Sequence, residues 1–209
     1  MSKPKVAFIG TGGTIASLGA GPLDLQNYGA SRNVMHADAI LARYPETALV
    51  ADVLPVRYRN IPSTAIDFAD WKALAALCAQ LVQEHADLAG IVIGHGTATL
   101  EETAYVLNLT LKVDVPVVLV GAQRPSSALS TDAGMNLLNA IRVANATRGS
   151  AIGMPPTVAS TEISPVTSAR NTSEIRVHSR SESGGWPSLM RRSHRRSTAS
   201  PLPPGKTRV

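Results

Sequence analysis

Polar residues cluster at four points of this 209-residue chain, beside glycine at three of them: Thr11-Gly12-Gly13-Thr14, Ser63-Thr64, Gly94-His95-Gly96-Thr97 and Gly121-Ala122-Gln123-Arg124. Glycine lets a ligand come close to the backbone, and hydroxyls and free N–H groups beside it hold an anionic oxygen. The chemistry suited to such clusters is the capture of a small polar molecule. Two familiar glycine loops do not fit. Gly10 to Thr14 has neither the G-x-G-x-x-G spacing of a dinucleotide fold nor the Lys of a phosphate-binding loop. Any strand-to-helix turn carries Gly and Thr, so one cluster alone says little; their recurrence after successive strands points to a site.

The elements that must position these clusters are legible from hydrophobic pattern. Apolar runs at Lys5 to Ile9, Val50 to Val56, Ile91 to Ile93 and Val115 to Val120 predict four strands, each ending where a polar cluster begins. Between them, Phe68, Trp71, Leu74, Cys78, Leu81 and Val82 repeat at helical spacing, and Leu100 to Leu109 and Asp132 to Ala144 read as further helices. Runs of Val, Ile and Leu without alternation predict strands buried on both faces. The alternation of strand and helix predicts an α/β fold with a doubly wound, mostly parallel sheet. Ligands bind such sheets outside the carboxyl ends of the strands, which is where all four clusters are expected to converge.

Composition narrows the class. The chain is 44% apolar with no run of about 18 apolar residues, so no membrane span is expected. Met1-Ser2-Lys3-Pro4 leads straight into a strand pattern without a signal-peptide profile, which predicts a cytoplasmic protein. The lone Cys78 sits on a helical apolar face and reads as a small buried hydrophobe, which excludes disulfide scaffolds and zinc ribbons. No metal or cofactor is expected.

The net charge of +5 is uneven. Residues 1–149 hold 11 Lys and Arg against 12 Asp and Glu; residues 150–209 hold 9 against 3. From Ser150 the chain is dense in Ser, Arg and Pro, and no long helical or alternating pattern persists. It reads as a basic, disordered tail, and the abrupt change after Arg148-Gly149 resembles a shifted reading frame of a GC-rich gene. Trp186 is its one aromatic residue, so the interleaved aromatics of a base-stacking surface are lacking and a nucleic-acid partner is not expected.

Residues 5–149 resemble the bacterial L-asparaginase/glutaminase family of threonine amidohydrolases. The resemblance rests on Ile9-Gly10-Thr11-Gly12-Gly13-Thr14-Ile15-Ala16-Ser17, on Gly94-His95-Gly96-Thr97-Ala98-Thr99-Leu100-Glu101-Glu102-Thr103-Ala104-Tyr105, and on Val118 to Pro125 followed by Ser130-Thr131-Asp132 and Asn136-Leu137. It implies a fold like the family's N-terminal domain, and hydrolysis of a side-chain amide through an acyl-enzyme. By position it implies Thr14 as nucleophile, Tyr28 on a lid as its activator and Thr97 in a second catalytic group. Ser63 matches the residue that holds the substrate carboxylate. Thr64, Gly96 and Ala98 fall in the same substrate-binding segments, and the N–H groups of Gly13 and Thr97 fall where an oxyanion develops.

The chain also departs from the family. Ala98 stands where the family has an Asp that meets an α-ammonium, a contact worth roughly 1.5–3 kcal/mol. The family's Lys partner of the second Thr has no counterpart, since no Lys occurs between Lys112 and Lys206. The family's C-terminal domain, which completes the site across a dimer interface, is expected to be missing. Two readings stand: an amidohydrolase acting on L-asparagine or a related small amide, and a catalytically deficient small-molecule-binding domain. The family forms homo-oligomers, which the missing domain argues against here.

Overall fold

Three of the four apolar runs become buried strands, and the fourth becomes the edge that screens them. The computed structural model describes residues 2–29, 33–146 and 158–161. Along the chain run β1 (Lys5–Gly10), α1 (Ala37–Arg43), β2 (Asp52–Arg57), α2 (Phe68–Glu84), β3 (Leu88–Gly94), α3 (Leu100–Thr110), β4 (Val117–Val120), α4 (Ala133–Ala146) and β5 (Val158–Thr161). The strands form one sheet of order β2-β1-β3-β4-β5. Every pairing is parallel, with Gly10 opposite Arg57 on one side and Gly94 on the other.

Both faces of the sheet are covered. Val6, Phe8, Val92, Val118 and Val120 pack with Ala37, Ile40, Leu137, Ile141 and Ala144 of α1 and α4. Ala7, Ile9, Ile91, Ile93 and Leu119 pack with Leu74, Cys78, Leu100 and Leu107 of α2 and α3. Alternate residues of one strand thus enter opposite clusters, which is why β3 and β4 are apolar at every position. Cys78 is fully buried, and burial pushes its thiol up to about 12, so it acts as a small apolar side chain. Helix α2 starts on a capping box in which Asp67 and Asp70 each accept the other's backbone N–H.

The sheet differs from the sequence expectation at its two ends. Strand β2 is not buried on both faces: it is the sheet edge, with none of its residues fully buried and Pro55 opposite Phe8. Proline lacks the N–H that an inner strand needs on both sides, so the edge is its natural place. Strand β5 lies inside the segment that composition assigned to a tail. Its four residues, Val158-Ala159-Ser160-Thr161, pair in register with Val117 to Val120. A β-branched residue at each end of a four-residue segment is too short a pattern to register as a strand beside the Arg, Ser and Pro around it. Most of that segment lies outside the described residues.

The order of the strands determines where a ligand is bound. The chain leaves β1 to build β2 on one side and then crosses to build β3 on the other, so its direction of winding reverses between β1 and β3. The loops leaving the carboxyl ends of these two strands diverge and open a crevice.

Close packing of α4 on β3 supports that arrangement. A Cβ at Gly90 would meet the Ala144 carbonyl oxygen, with Ala144 Cβ at 2.9 Å, whereas a Cβ at Gly21 would meet open space. Gly90→Ala is expected to destabilise the fold by about 1–3 kcal/mol through overpacking. Gly21→Ala is expected to stay within about 0.5 kcal/mol of the parent. Urea midpoints of both variants check this; equal midpoints would contradict the contact.

Candidate active site

Three loops meet at the crevice because three hydrogen bonds hold them there. The Gly94 carbonyl at the end of β3 accepts both the Thr11 N–H at 3.0 Å and the Thr11 hydroxyl at 2.9 Å. The Thr11 carbonyl accepts the Ile61 N–H at 2.8 Å, which draws in the loop after β2. Gly12 and Gly13 then turn through positive φ of 107° and 80°, a region in which a side chain is strained. A Cβ on Gly13 would collide with the backbone of Gly96, and one on Gly96 would lie 2.6 Å from Ser63 Oγ.

The result is a cleft of about 680 Å³ lined by residues 12–14, 60–64 and 96–98, with Ser17, Tyr28, Gly29 and Val34 closing one side. Thr14, Ser63 and Thr97 each begin a short 3-10 turn, of residues 14–16, 63–65 and 97–99. Thr99 Oγ1 donates to the Ser63 carbonyl at 2.7 Å and locks two of these turns together. None of the lining residues is Asp, Glu, Lys, Arg or His. Recognition by this wall therefore rests on hydroxyls, backbone amides and the Asn60 carboxamide.

Thr14 Oγ1 lies 3.1 Å from Tyr28 Oη. The segment that brings Tyr28 there is organised by one carboxylate. Asp24 accepts the Ala20 N–H at 3.0 Å and the Asn27 N–H at 2.8 Å, and these backbone donors hold its carboxyl below the usual range. The segment is tied to the loop after β4 by Gly19 N–H to Ser127 Oγ, 2.8 Å, and Leu129 N–H to the Pro22 carbonyl, 2.8 Å.

All of Gly13, Thr14, Tyr28, Ser63, Thr64, Gly96, Thr97 and Ala98 line the cleft. Seven other residues of the polar clusters do not, among them Thr11, Gln123 and Arg124. Thr11 is buried and spends its hydroxyl on the Gly94 carbonyl. Gln123 and Arg124 do not line the cleft, and Asp132, just before α4, accepts both of their backbone N–H groups at 2.9 Å. The Arg124 guanidinium donates instead to the Ser130 carbonyl.

Two supporting residues were not singled out from the sequence. Ser126 donates to the Ile15 carbonyl at 2.6 Å and accepts from Tyr44 Oη at 2.9 Å, while its carbonyl accepts from Arg43 Nε at 3.0 Å. It joins α1, the turn after β1 and the loop after β4. His95 is fully buried and hydrogen-bonds Gly96 and Thr103. Its signal was a histidine between two glycines, a place where a side chain has reason to face inward. Among the described residues no group of three or more His, Cys, Asp or Glu is placed to hold a metal. No described helix is long and apolar enough to cross a membrane.

Comparison with known proteins gives the class. Residues 5–180 match the family "Asparaginase, N-terminal", a match that runs past residue 149. The chain is 42% identical over 143 residues to L-asparaginase 2 of Bacillus subtilis, covering 68% of this chain and 37% of that protein. It is 40% identical over 139 residues to glutaminase-asparaginase of Pseudomonas fluorescens biotype A, covering 66% and 38%. A crystal structure of a probable cytoplasmic L-asparaginase from Campylobacter jejuni superposes with a TM-score of 0.64 at 37% identity, covering 76% of this chain and 45% of that one. The chain belongs to the asparaginase family. What it holds is that family's N-terminal domain, and it spans about two fifths of the length of the curated relatives it matches.

The Asp24 arrangement generates a prediction that needs no turnover. Asp24→Ala is expected to speed hydrogen exchange of the Ala20 and Asn27 amides while leaving amides of β3 unchanged. A carboxyl lowered in the folded state keeps its contribution above its ordinary value and loses it as pH falls through the depressed one. The same two amides should therefore stay protected at neutral and mildly acid pH and open only in stronger acid. Protection unaffected by the substitution would contradict this role.

Proposed function

We propose that this domain hydrolyses the side-chain amide of L-asparagine, or of a related small amide, to the acid and ammonia. The observation that carries the reading is the pair Thr14 Oγ1 and Tyr28 Oη, 3.1 Å apart inside the cleft. A threonine hydroxyl is a weak nucleophile until a neighbour accepts its proton. Tyr28 is in place to take that proton as Thr14 Oγ1 attacks the amide carbon. The carbonyl oxygen becomes an oxyanion, received by the N–H groups of Gly13 and Thr97. The C–N bond then breaks, the nitrogen leaves as ammonia with the transferred proton, and an ester on Thr14 is left. Water, deprotonated in the same way, cleaves the ester and restores the hydroxyl.

Ser63, Thr64 and Gly96 supply the substrate-facing wall, with Ser63 as the partner of a substrate carboxylate. Thr97 acts as the second catalytic threonine. The family resemblance suggests a homo-oligomer, and the name of the Campylobacter jejuni neighbour supports a cytoplasmic setting.

Ala98 favours a second substrate reading. Its exposed methyl faces the cleft where the family has an Asp, so this wall offers no counter-ion to an α-ammonium. An amide without that group loses nothing here.

Thr14→Ala is expected to bring ammonia release from L-asparagine down to background with the unfolding midpoint unchanged, because the hydroxyl it removes lies at the cleft surface. Turnover equal to the parent would remove Thr14 as nucleophile. Ala98→Asp is expected to raise kcat/KM for L-asparagine by about 10- to 100-fold, and to leave succinamate, which lacks the α-amino group, unimproved. Equal gains on both substrates would refute the assignment of this position to ammonium recognition.

A further inference from the structure

A line of hydrogen bonds runs behind the cleft wall, through Trp71, Thr103 and His95, to which the proposed chemistry gives no part. The Trp71 indole donates to Thr103 Oγ1 at 2.9 Å, Thr103 Oγ1 lies 3.0 Å from His95 Nε2, and His95 Nδ1 lies 2.7 Å from the Gly96 carbonyl oxygen. The two ends determine every direction between them. An indole nitrogen only donates and a carbonyl oxygen only accepts. His95 Nδ1 therefore carries the proton, Nε2 accepts, and the Thr103 hydroxyl donates to it. Burial of His95 lowers its basicity, so the neutral ring that this pattern needs is the stable form.

The Gly96 carbonyl and the Thr97 N–H share one peptide plane, and no described peptide bond is cis. In a trans peptide the two groups point in opposite directions. Gly96 and Thr97 both line the cleft, while His95 is buried behind them. We propose that His95 is a positioning residue: by holding the Gly96 carbonyl on the buried side, it turns the Thr97 N–H into the cleft as a fixed donor. Trp71 and Thr103 select the ring tautomer that makes this possible. The kinetic consequence rests on the amidohydrolase reading; the geometric claim does not.

Two substitutions of His95 separate orientation from packing. Asn carries its amide nitrogen near the place of Nδ1, and Gln near that of Nε2. His95→Asn therefore keeps the contact to Gly96, and His95→Gln keeps only the one to Thr103. With the full chain and L-asparagine, His95→Gln is expected to lower kcat on the order of 10²-fold, with KM changed less than about threefold, since the donor lost acts mainly in the transition state. His95→Asn should keep kcat within about fivefold of the parent. Thr103→Val should cost activity that Thr103→Ser restores.

NMR of the same proteins needs no turnover. The imidazole nitrogens should report the Nδ1–H tautomer, and the Thr97 amide resonance should move in His95→Gln but not in His95→Asn. If His95→Gln does not fold, the Thr97 amide in Thr103→Val and Thr103→Ser makes the same comparison. A parent chain that releases no ammonia would sink the amidohydrolase reading and leave the positioning claim to these spectra. An Nε2–H tautomer, a Thr97 amide indifferent to these changes, or equal kcat losses in His95→Asn and His95→Gln would overturn the proposal.

Discussion

The site depends on a place where two backbones touch with no side chain between them. Gly13 after β1 and Gly96 after β3 approach so closely that a Cβ on Gly13 would displace the other loop, and Ser63 after β2 fills the space that remains beside Gly96. The approach is possible because β1 and β3 are hydrogen-bonded neighbours whose carboxyl ends coincide at Gly10 and Gly94. A parallel sheet offers such a pair of diverging loops where its winding reverses. Widening this contact would separate Thr14 from Thr97 and open the wall that holds both.

Stiffness is unevenly distributed around the cleft. The floor is held by buried groups: Thr11 on Gly94, Ser126 on Ile15, and His95 on Gly96. Each satisfies a carbonyl that burial would otherwise leave costly. The segment bearing Tyr28 is held by exposed bonds around Asp24 and by two bonds to the neighbouring loop. Exposed bonds of this kind open at low free energy. Thr14 on a rigid floor thus faces Tyr28 on a more yielding segment, so the segment can move without disturbing the wall opposite it.

The buried strands were legible because they have to be apolar at every position, as β3 and β4 are. Two of the polar clusters were legible because the tight approach of the loops after β1 and β3 requires glycine. Strand β2 read as an inner strand because its side-chain pattern, Val53, Leu54 and Val56, is apolar even at an edge; Pro55 was the sign of its true place. Helix α1 went unread, since seven residues give barely two turns of periodicity after a polar segment. The role of Gln123 and Arg124 was misplaced because local spacing shows where a strand ends but not which later side chain will claim its loop. Asp132 makes that choice nine and eight residues on. The part of Tyr28 came from family likeness alone, and the bond to Thr14 supplies its geometry.

Strand β1 precedes the other described elements and sits inside the sheet, between β2 and β3. During synthesis it leaves the ribosome long before residue 94, so its full pairing on the second side must wait for most of the domain. Until then Val6, Ala7, Phe8 and Ile9, which end fully buried, have one flank open to other chains or to a chaperone. The same reversal of winding that creates the cleft thus imposes a waiting time on the nascent protein. Slow translation between residues 57 and 88 would lengthen the exposure of the strand that leads into the Thr14 turn.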